Sequence, residues 1–286
     1  MARIIDESSQ STLSSSDVFL IDNSSTGTHK ISASDIGNGI LINFCKDSEN
    51  VAALHNSIFR GKNLGSSLTT EQSTAISNGT FDDIWVGDYW LINNIKYRVA
   101  ECDGFYCCGD NVNLGHHVVV VPDSSLYSAQ MQNTETGGYI AGSEYNYTTG
   151  GYVESDMRTT NLAQATTMVE TAFGESHILS YRDLLTNRVA SGQANSWAWT
   201  DCKVELMSEQ MVWGNTIWGK SGYEGGCHPY QFALFRLASE LIHRRYTYWL
   251  RSVASATAFA YVLSYGFAYT CSASCAFGVR PAFLVH

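Results

Sequence analysis

From Phe81 onward, apolar residues come in short blocks separated by turn formers. The blocks at 84–92 and 95–99 flank Asn93-Asn94, which predicts a β-hairpin. Residues 117–121 predict another strand, closed by Pro122, and residues 127–156, rich in Gly, Thr and Tyr, read as a loop. Two helical patterns follow. Asn161-x-x-Gln164 has the form of a capping box, and Leu162, Ala165, Val169 and Phe173 make an apolar stripe that Gly174 stops. Ser180-x-x-Asp183 reads as the start of a second helix that carries Leu184, Leu185 and Val189 and ends near Gly192. Short strands and turns account for the rest, with much of the apolar mass at 204–213 and 230–237. Residues 81–286 therefore predict an α+β domain with two helices among short antiparallel strands.

The first 80 residues differ in texture. Residues 1–40 are rich in Ser, Thr and Asp, and the apolar run Val18-Phe19-Leu20-Ile21 precedes a Ser24-Ser25-Thr26-Gly27 turn. Two short strands are expected there, a small β-rich module that cannot bury a core alone. Residues 41–80 read as a connector, in which Thr69-x-x-Gln72 caps a short helix stopping near Gly79.

The C-terminal tail has the most regular pattern. Tyr261, Leu263, Tyr265, Phe267, Tyr269 and Cys271 occupy successive odd positions, and Ala260, Val262, Ser264, Gly266, Ala268 and Thr270 the even ones. Side chains alternate across a strand, so a β-ribbon places the bulky set on one face and the small set on the other. Gly266 in the middle suggests a bend or bulge. Either the bulky face is core, or it looks outward as a surface of rings among small residues, the composition of a paratope.

Composition narrows the function classes. Charged residues are only 15% and hydrophobic residues 44%, which excludes disorder; the net charge of −10 argues against nonspecific nucleic-acid or anionic-membrane binding. The N-terminus shows no apolar core of signal-peptide length, and the longest apolar run, Val118 to Val121, is far too short for a membrane span. The expected setting is a cytosol, with release by lysis. The eight cysteines are expected as free, mostly buried thiols. Cys102, Cys107 and Cys108 with His116 and His117 lack the paired spacing of a zinc site. His228-Pro229 reads as a turn, Arg280 as a buried structural pair, and Trp249 and Phe283 as core.

Tyr248-Trp249-Leu250-Arg251-Ser252, followed by Gly278-Val279-Arg280-Pro281-Ala282-Phe283, resembles the C-terminal repeat of variable proteins from diversity-generating retroelements. Phage tropism determinants are the type case, and they have a C-type lectin fold. Residues 179–185 and 204–211 look like the same family, so the resemblance covers about residues 81–286. Residues 1–40 resemble, more weakly, the N-terminal modules of phage tail proteins.

In that family a reverse transcriptase scrambles template adenines, mainly in AAC or AAT codons, and such codons cannot become Lys, Glu, Gln, Met or Trp. The tail from Leu250 to His286 lacks all five, and its only charged residues are Arg251 and Arg280. Carried over by position, the framework is Val253, Ser255, Phe259, Ala260, Val262, Gly266, Ala268, Ala273, Ser274 and residues 278–283. The ligand-binding, diversified positions are then Ala254, Ala256, Ala258, Tyr261, Leu263, Tyr265, Phe267, Tyr269, Thr270, Cys271, Cys275, Ala276 and Phe277, within a variable region 248–286.

The resemblance thus implies a C-type lectin-like domain over 81–286 behind an attachment module over 1–40. It implies a phage tail-tip receptor-binding protein of the virion, assembled in the host cytoplasm. Its partners would be other tail proteins, two further copies in a homotrimer and a host cell-surface ligand, protein or glycan. No enzyme activity, cofactor, metal, nucleic acid or membrane insertion is expected. Two other readings stay open. A calcium-dependent glycan-binding lectin of fixed specificity would use loop acids such as Asp123, Glu135, Glu144 and Asp156, which lack EF-hand-like spacing. An oxidoreductase of the formylglycine-generating type would use Cys271 and Cys275, yet both fall at presumed variable positions, where a nucleophile would be left to chance.

Overall fold

The computed structural model describes residues 18–23, 27–32, 36, 50–110, 114–132, 148–243 and 245–286. The chain divides into two compact units, residues 1–49 and 50–286. In the first, β1 (Val18–Asn23) and β2 (Gly27–Ser32) pair antiparallel from Val18↔Ser32 to Asn23↔Gly27, the hairpin expected around the 24–27 turn. Val18 and Leu20 are exposed.

The second unit is α+β, mostly sheet with few helices. Residues 50–80, read as connector, lie within it. They form a one-turn helix α1 (Val51–His55), a strand β3 (Asn63–Gly65) and a helix α2 (Thr70–Ser77). Thr69 caps α2 with Gln72 in the expected reciprocal box. Gln72 also accepts a hydrogen bond from Trp90 Nε1 at 2.9 Å, tying α2 to the sheet behind it.

Next come β4 (Tyr89–Ile92) and β5 (Ile95–Cys102), the predicted hairpin. Its turn is Asn93-Asn94, with φ 50° and 64°, the left-handed pair that a two-residue hairpin of this twist demands. β6 (Val118–Pro122) and β7 (Tyr127–Gln130) follow, so part of the predicted 127–156 loop is strand; residues 133–147, with Glu135 and Glu144, lie outside the described residues.

The helix α3 (Leu162–Phe173) buries the predicted stripe and stops at Gly174. Phe173 meets Trp90, Tyr97 and Phe283 edge-on at 5.3–5.6 Å, which lays α3 on the sheet. Its start differs from expectation. A π-helical turn, Met157–Asn161, precedes it, so Asn161 is already helical and its amide donates to Gln130 O instead of capping.

The second predicted helix is a strand. β8 (Tyr181–Ala190) pairs with β9 (Gln193–Cys202) around Ser191-Gly192, both at positive φ. Leu184, Leu185 and Val189 satisfy a helical stripe poorly, while Tyr181, Asp183 and Leu185 are buried at alternate positions, the period of a strand. Of the two expected helices, the first is kept and the second is corrected to a strand.

The rest of the chain is β10 (Val204–Leu206), short helices α4 (Glu209–Trp213) and α5 (Ala233–Leu237), and β11 (Tyr248–Val253), β12 (Ala258–Val262), β13 (Ala268–Ser272), β14 (Ala276–Val279) and β15 (Pro281–Val285). They complete two larger sheets: six strands in the order β10-β15-β6-β5-β4-β3, and five in the order β13-β12-β11-β14-β7. Trp249 and Phe283 are fully buried, as expected. Among the described residues no helix is long and apolar enough to cross a membrane.

The cysteine expectation is corrected. Cys108 pairs with Cys227, and Cys271 with Cys275, with Cα separations of 6.1 and 6.6 Å, within disulfide reach. Cys102 and Cys202 are buried thiols and Cys107 is exposed; Cys45 lies outside the described residues.

Candidate functional site

The tail ribbon folds back on itself. Leu263 N donates to Phe267 O at 2.9 Å and Gly266 N to Leu263 O at 2.8 Å, closing a tight turn between β12 and β13. Gly266 sits at φ +89°, and a Cβ there would lie 3.0 Å from the His243 ring, so both conformation and space select glycine. Trp213 Nε1 donates to Gly266 O at 3.2 Å, fixing the turn against the end of α4.

Strand register keeps odd positions opposite odd ones, so Tyr261 faces Tyr269 and the bulky residues share one face as the alternation predicts. Their depth differs sharply. Tyr265 and Phe267 at the tip are each 69% exposed and Tyr269 is 52% exposed. Tyr261 is 7% exposed, because β12 lies inside the sheet and its ring packs on Trp249, Phe277 and Tyr269 at 4.5–6.1 Å.

The remaining predicted positions spread over three environments. Ala276 is exposed. Ala254, Ala256, Leu263, Thr270, Cys271, Cys275 and Phe277 are half-buried, and Ala258, like Tyr261, is buried. Ala258 and Tyr261 are thus placed for packing, which corrects their reading as contact residues. Ala276 also lines a cavity of about 520 Å³ with Ser128, Gln130, Asp156, Thr160 and Asn161.

The structure adds residues that the tail pattern does not contain. The loop after α4 carries Ile217 (50% exposed) and Trp218 (45%), and the Trp218 ring stands edge-on to Tyr269 at 6.1 Å. Sequence reasoning passed over this loop. Its signal was a tryptophan between glycines, in Trp213-Gly214 through Trp218-Gly219, where a large ring has no periodic partner.

Glu209 holds that loop. It is fully buried at the first turn of α4. Its carboxylate accepts the amides of Ile217 and Gly219 at 2.9 Å and of Trp218 at 3.0 Å. Charge-assisted bonds of this kind contribute about 1.5–3 kcal/mol each. Glu209→Gln turns an NH₂ toward amides that need an acceptor. It is expected to lower stability by about 2 kcal/mol or more and to speed hydrogen exchange at 217–219 selectively. Exchange rates there equal to wild type would refute the anchoring role.

A buried polar layer lies beneath. Asp183 pairs with Arg251 at 3.0 Å and accepts the amides of Leu184 and Cys227 at 2.8 and 2.7 Å. Glu224 is fully enclosed, and burial, reinforced by the nearby Glu209 carboxylate, pushes its carboxyl up to about 8. Gly219 lies close to both acids: its amide bonds Glu209, and a Cβ on it would come 2.7 Å from the Glu224 carboxyl carbon. The Cys108–Cys227 bridge secures the far end of the segment, and His228 N donates to Gly225 O at 3.0 Å in the expected turn.

Among the described residues, no three His, Cys, Asp or Glu side chains are placed to hold a metal ion. Of the set weighed for zinc, Cys108 is in a disulfide and His117 has both ring nitrogens engaged, by Gly115 O and Phe105 N–H. The exposed side chains here, Tyr265, Phe267 and Tyr269 of the hairpin and Ile217 and Trp218 of the loop whose Trp218 meets Tyr269, are large and uncharged, a composition suited to noncovalent recognition. No family model, no curated protein and no solved structure matches this chain.

Proposed function

We propose that the chain is the receptor-binding protein of a phage tail tip, and that its C-terminal hairpin is the retroelement-diversified part of a surface for a host-cell ligand. One observation carries the reading. The largest exposed rings of the tail gather at one hairpin tip, while the framework positions Phe259, Ala260, Val262 and Ala273 are fully buried. A scaffold sealed from solvent tolerates change at the tip without loss of fold, which is what repeated diversification needs. Rigid rings on such a scaffold bind at low entropic cost. The hairpin of residues 18–32 fits an attachment module, and a homotrimer would give many weak sites avidity.

The deciding experiment is genomic. A near-copy of the DNA encoding residues 248–286 should lie beside a reverse-transcriptase gene, with differences falling only at template adenines. They should concentrate in codons for exposed or half-buried positions such as Tyr265, Phe267, Tyr269 and Ala276, and spare Ala258 and Tyr261. Absence of the copy, or differences spread over all bases, overturns the reading.

A further inference from the structure

β13 is the outermost strand of its sheet, paired only with β12. Two hydrogen bonds outside the strands fix which of its backbone groups face outward. Leu263 N bonds Phe267 O, and Ala273 N bonds Thr257 O. Antiparallel ladders alternate bonded and non-bonded pairs, so 269 and 271 bond inward to β12 while 268, 270 and 272 present N–H and C=O outward. Ser272 O is taken by Cys275 N at 2.9 Å. Among the described residues, the N–H and C=O of Ala268 and Thr270 have no protein partner.

Such an edge is normally guarded by proline, lysine, inward charge or a bulge. The strand Ala268-Tyr269-Thr270-Cys271-Ser272 carries none of the first three, and its register to β12 runs without a bulge. The rings that ring-fence it, Phe267, Tyr269 and Trp218, are exposed and uncharged.

We infer that the ligand is a polypeptide in extended conformation that adds as a further strand to the free edge of β13. The inference rests on the reading of the hairpin as the ligand surface and gives that surface its partner class. Main-chain groups of Ala268 and Thr270 supply up to four hydrogen bonds, and the flanking rings read the alternate side chains of the incoming strand. The arrangement suits a diversified protein. Main-chain bonds do not depend on which side chain occupies 269 or 270, so every variant keeps the same docking rail while its specificity changes.

The test uses the full chain and a library of random linear peptides as probe. Panning should enrich peptides with alternating apolar residues. Thr270→Pro removes the outward N–H without touching the ladder to β12, and proline is tolerated on an edge strand in that position. It should weaken the enriched peptides about tenfold or more. Thr270→Val keeps the N–H and should stay within about threefold, and both variants should melt as wild type does. Tyr265→Ala/Phe267→Ala tests the parent reading separately. Peptides sensitive to that double change but indifferent to Thr270→Pro leave the ligand surface standing and overturn strand addition. Peptides indifferent to both overturn the ligand surface itself. Enrichment of no peptide, or capture of array oligosaccharides in place of peptides, also overturns the strand partner.

Discussion

Arg280→Leu is expected to lower the stability of the 50–286 unit by about 3–5 kcal/mol. The guanidinium is fully buried where β14 passes into β15. Nε donates to Pro122 O at 2.8 Å and Nη1 to Leu241 O at 3.0 Å and Ile242 O at 3.3 Å, and the group lies over the Tyr248 and Phe235 rings at 4.9 and 5.4 Å. The sequence predicted a buried structural partner for this arginine; the partners are carbonyls and ring faces instead of an acid. Leucine leaves Pro122 O and Leu241 O without this donor and opens a cavity among the rings. Arg280→Lys keeps the charge but not the planar fork, so an intermediate loss is expected. Urea unfolding measures both, and a loss below about 1 kcal/mol for Arg280→Leu would show that the guanidinium is not an organising group.

The second large effect is on pH dependence. Glu224 keeps its proton in the folded chain up to about 8, whereas the unfolded chain releases it near 4.5. Between those values unfolding releases a proton, so rising pH favours the unfolded state. The contribution is fully present below about 4.5 and is lost as pH passes 8. Each pH unit in the window costs about 1.4 kcal/mol, so about 2 kcal/mol should disappear between pH 6.5 and 8. His117, held down to about 4 by burial, acts with the opposite sign, adding stability as pH rises toward 6.5 and nothing further above it. Burial also raises the Glu205 carboxyl, with the same sign, so the Glu224 share is read as the difference between the wild type and a Glu224 variant. Glu224→Gln mimics the protonated form and should remove that share. Equal slopes for the two proteins between pH 6.5 and 8 would place the Glu224 proton elsewhere.

Both predictions concern buried groups in the unit that carries the proposed recognition surface. Arg280 fixes β14 and β15 against residues 235–248, and Glu224 packs beside Gly219 in the loop that displays Trp218. Stability lost at Glu224 should loosen the loop that displays Trp218 without altering an exposed ring.

Much of the local structure was legible in the residues. The Asn93-Asn94 turn, the Thr69–Gln72 box and the stripe ending at Gly174 each depend on neighbours within a few positions, and each formed where its pattern placed it. The segment from Tyr181 was misread for the same reason. Leu184, Leu185 and Val189 make only a poor helical stripe, and what fixes the segment as strand is distant: the β9 partner at 193–202 and Arg251, which pairs with the buried Asp183. The Cys108–Cys227 pairing spans 119 residues, and no local signal carries it.

At the candidate site, the odd–even alternation of residues 260–271 by itself determined that the rings share a face, because side-chain direction in a strand follows from backbone geometry alone. It could not determine how far each ring stands from water. Sheet order decided that: β12 lies inside, so Tyr261 is covered, while the turn at Gly266 carries Tyr265 and Phe267 out to the surface. Tertiary structure alone also brought Trp218 beside Tyr269 and, among the described residues, left the outward N–H and C=O of Ala268 and Thr270 without a protein partner. Direction is a property of one chain segment. Exposure and pairing are properties of what packs beside it, and those neighbours come from parts of the chain that the local pattern does not contain.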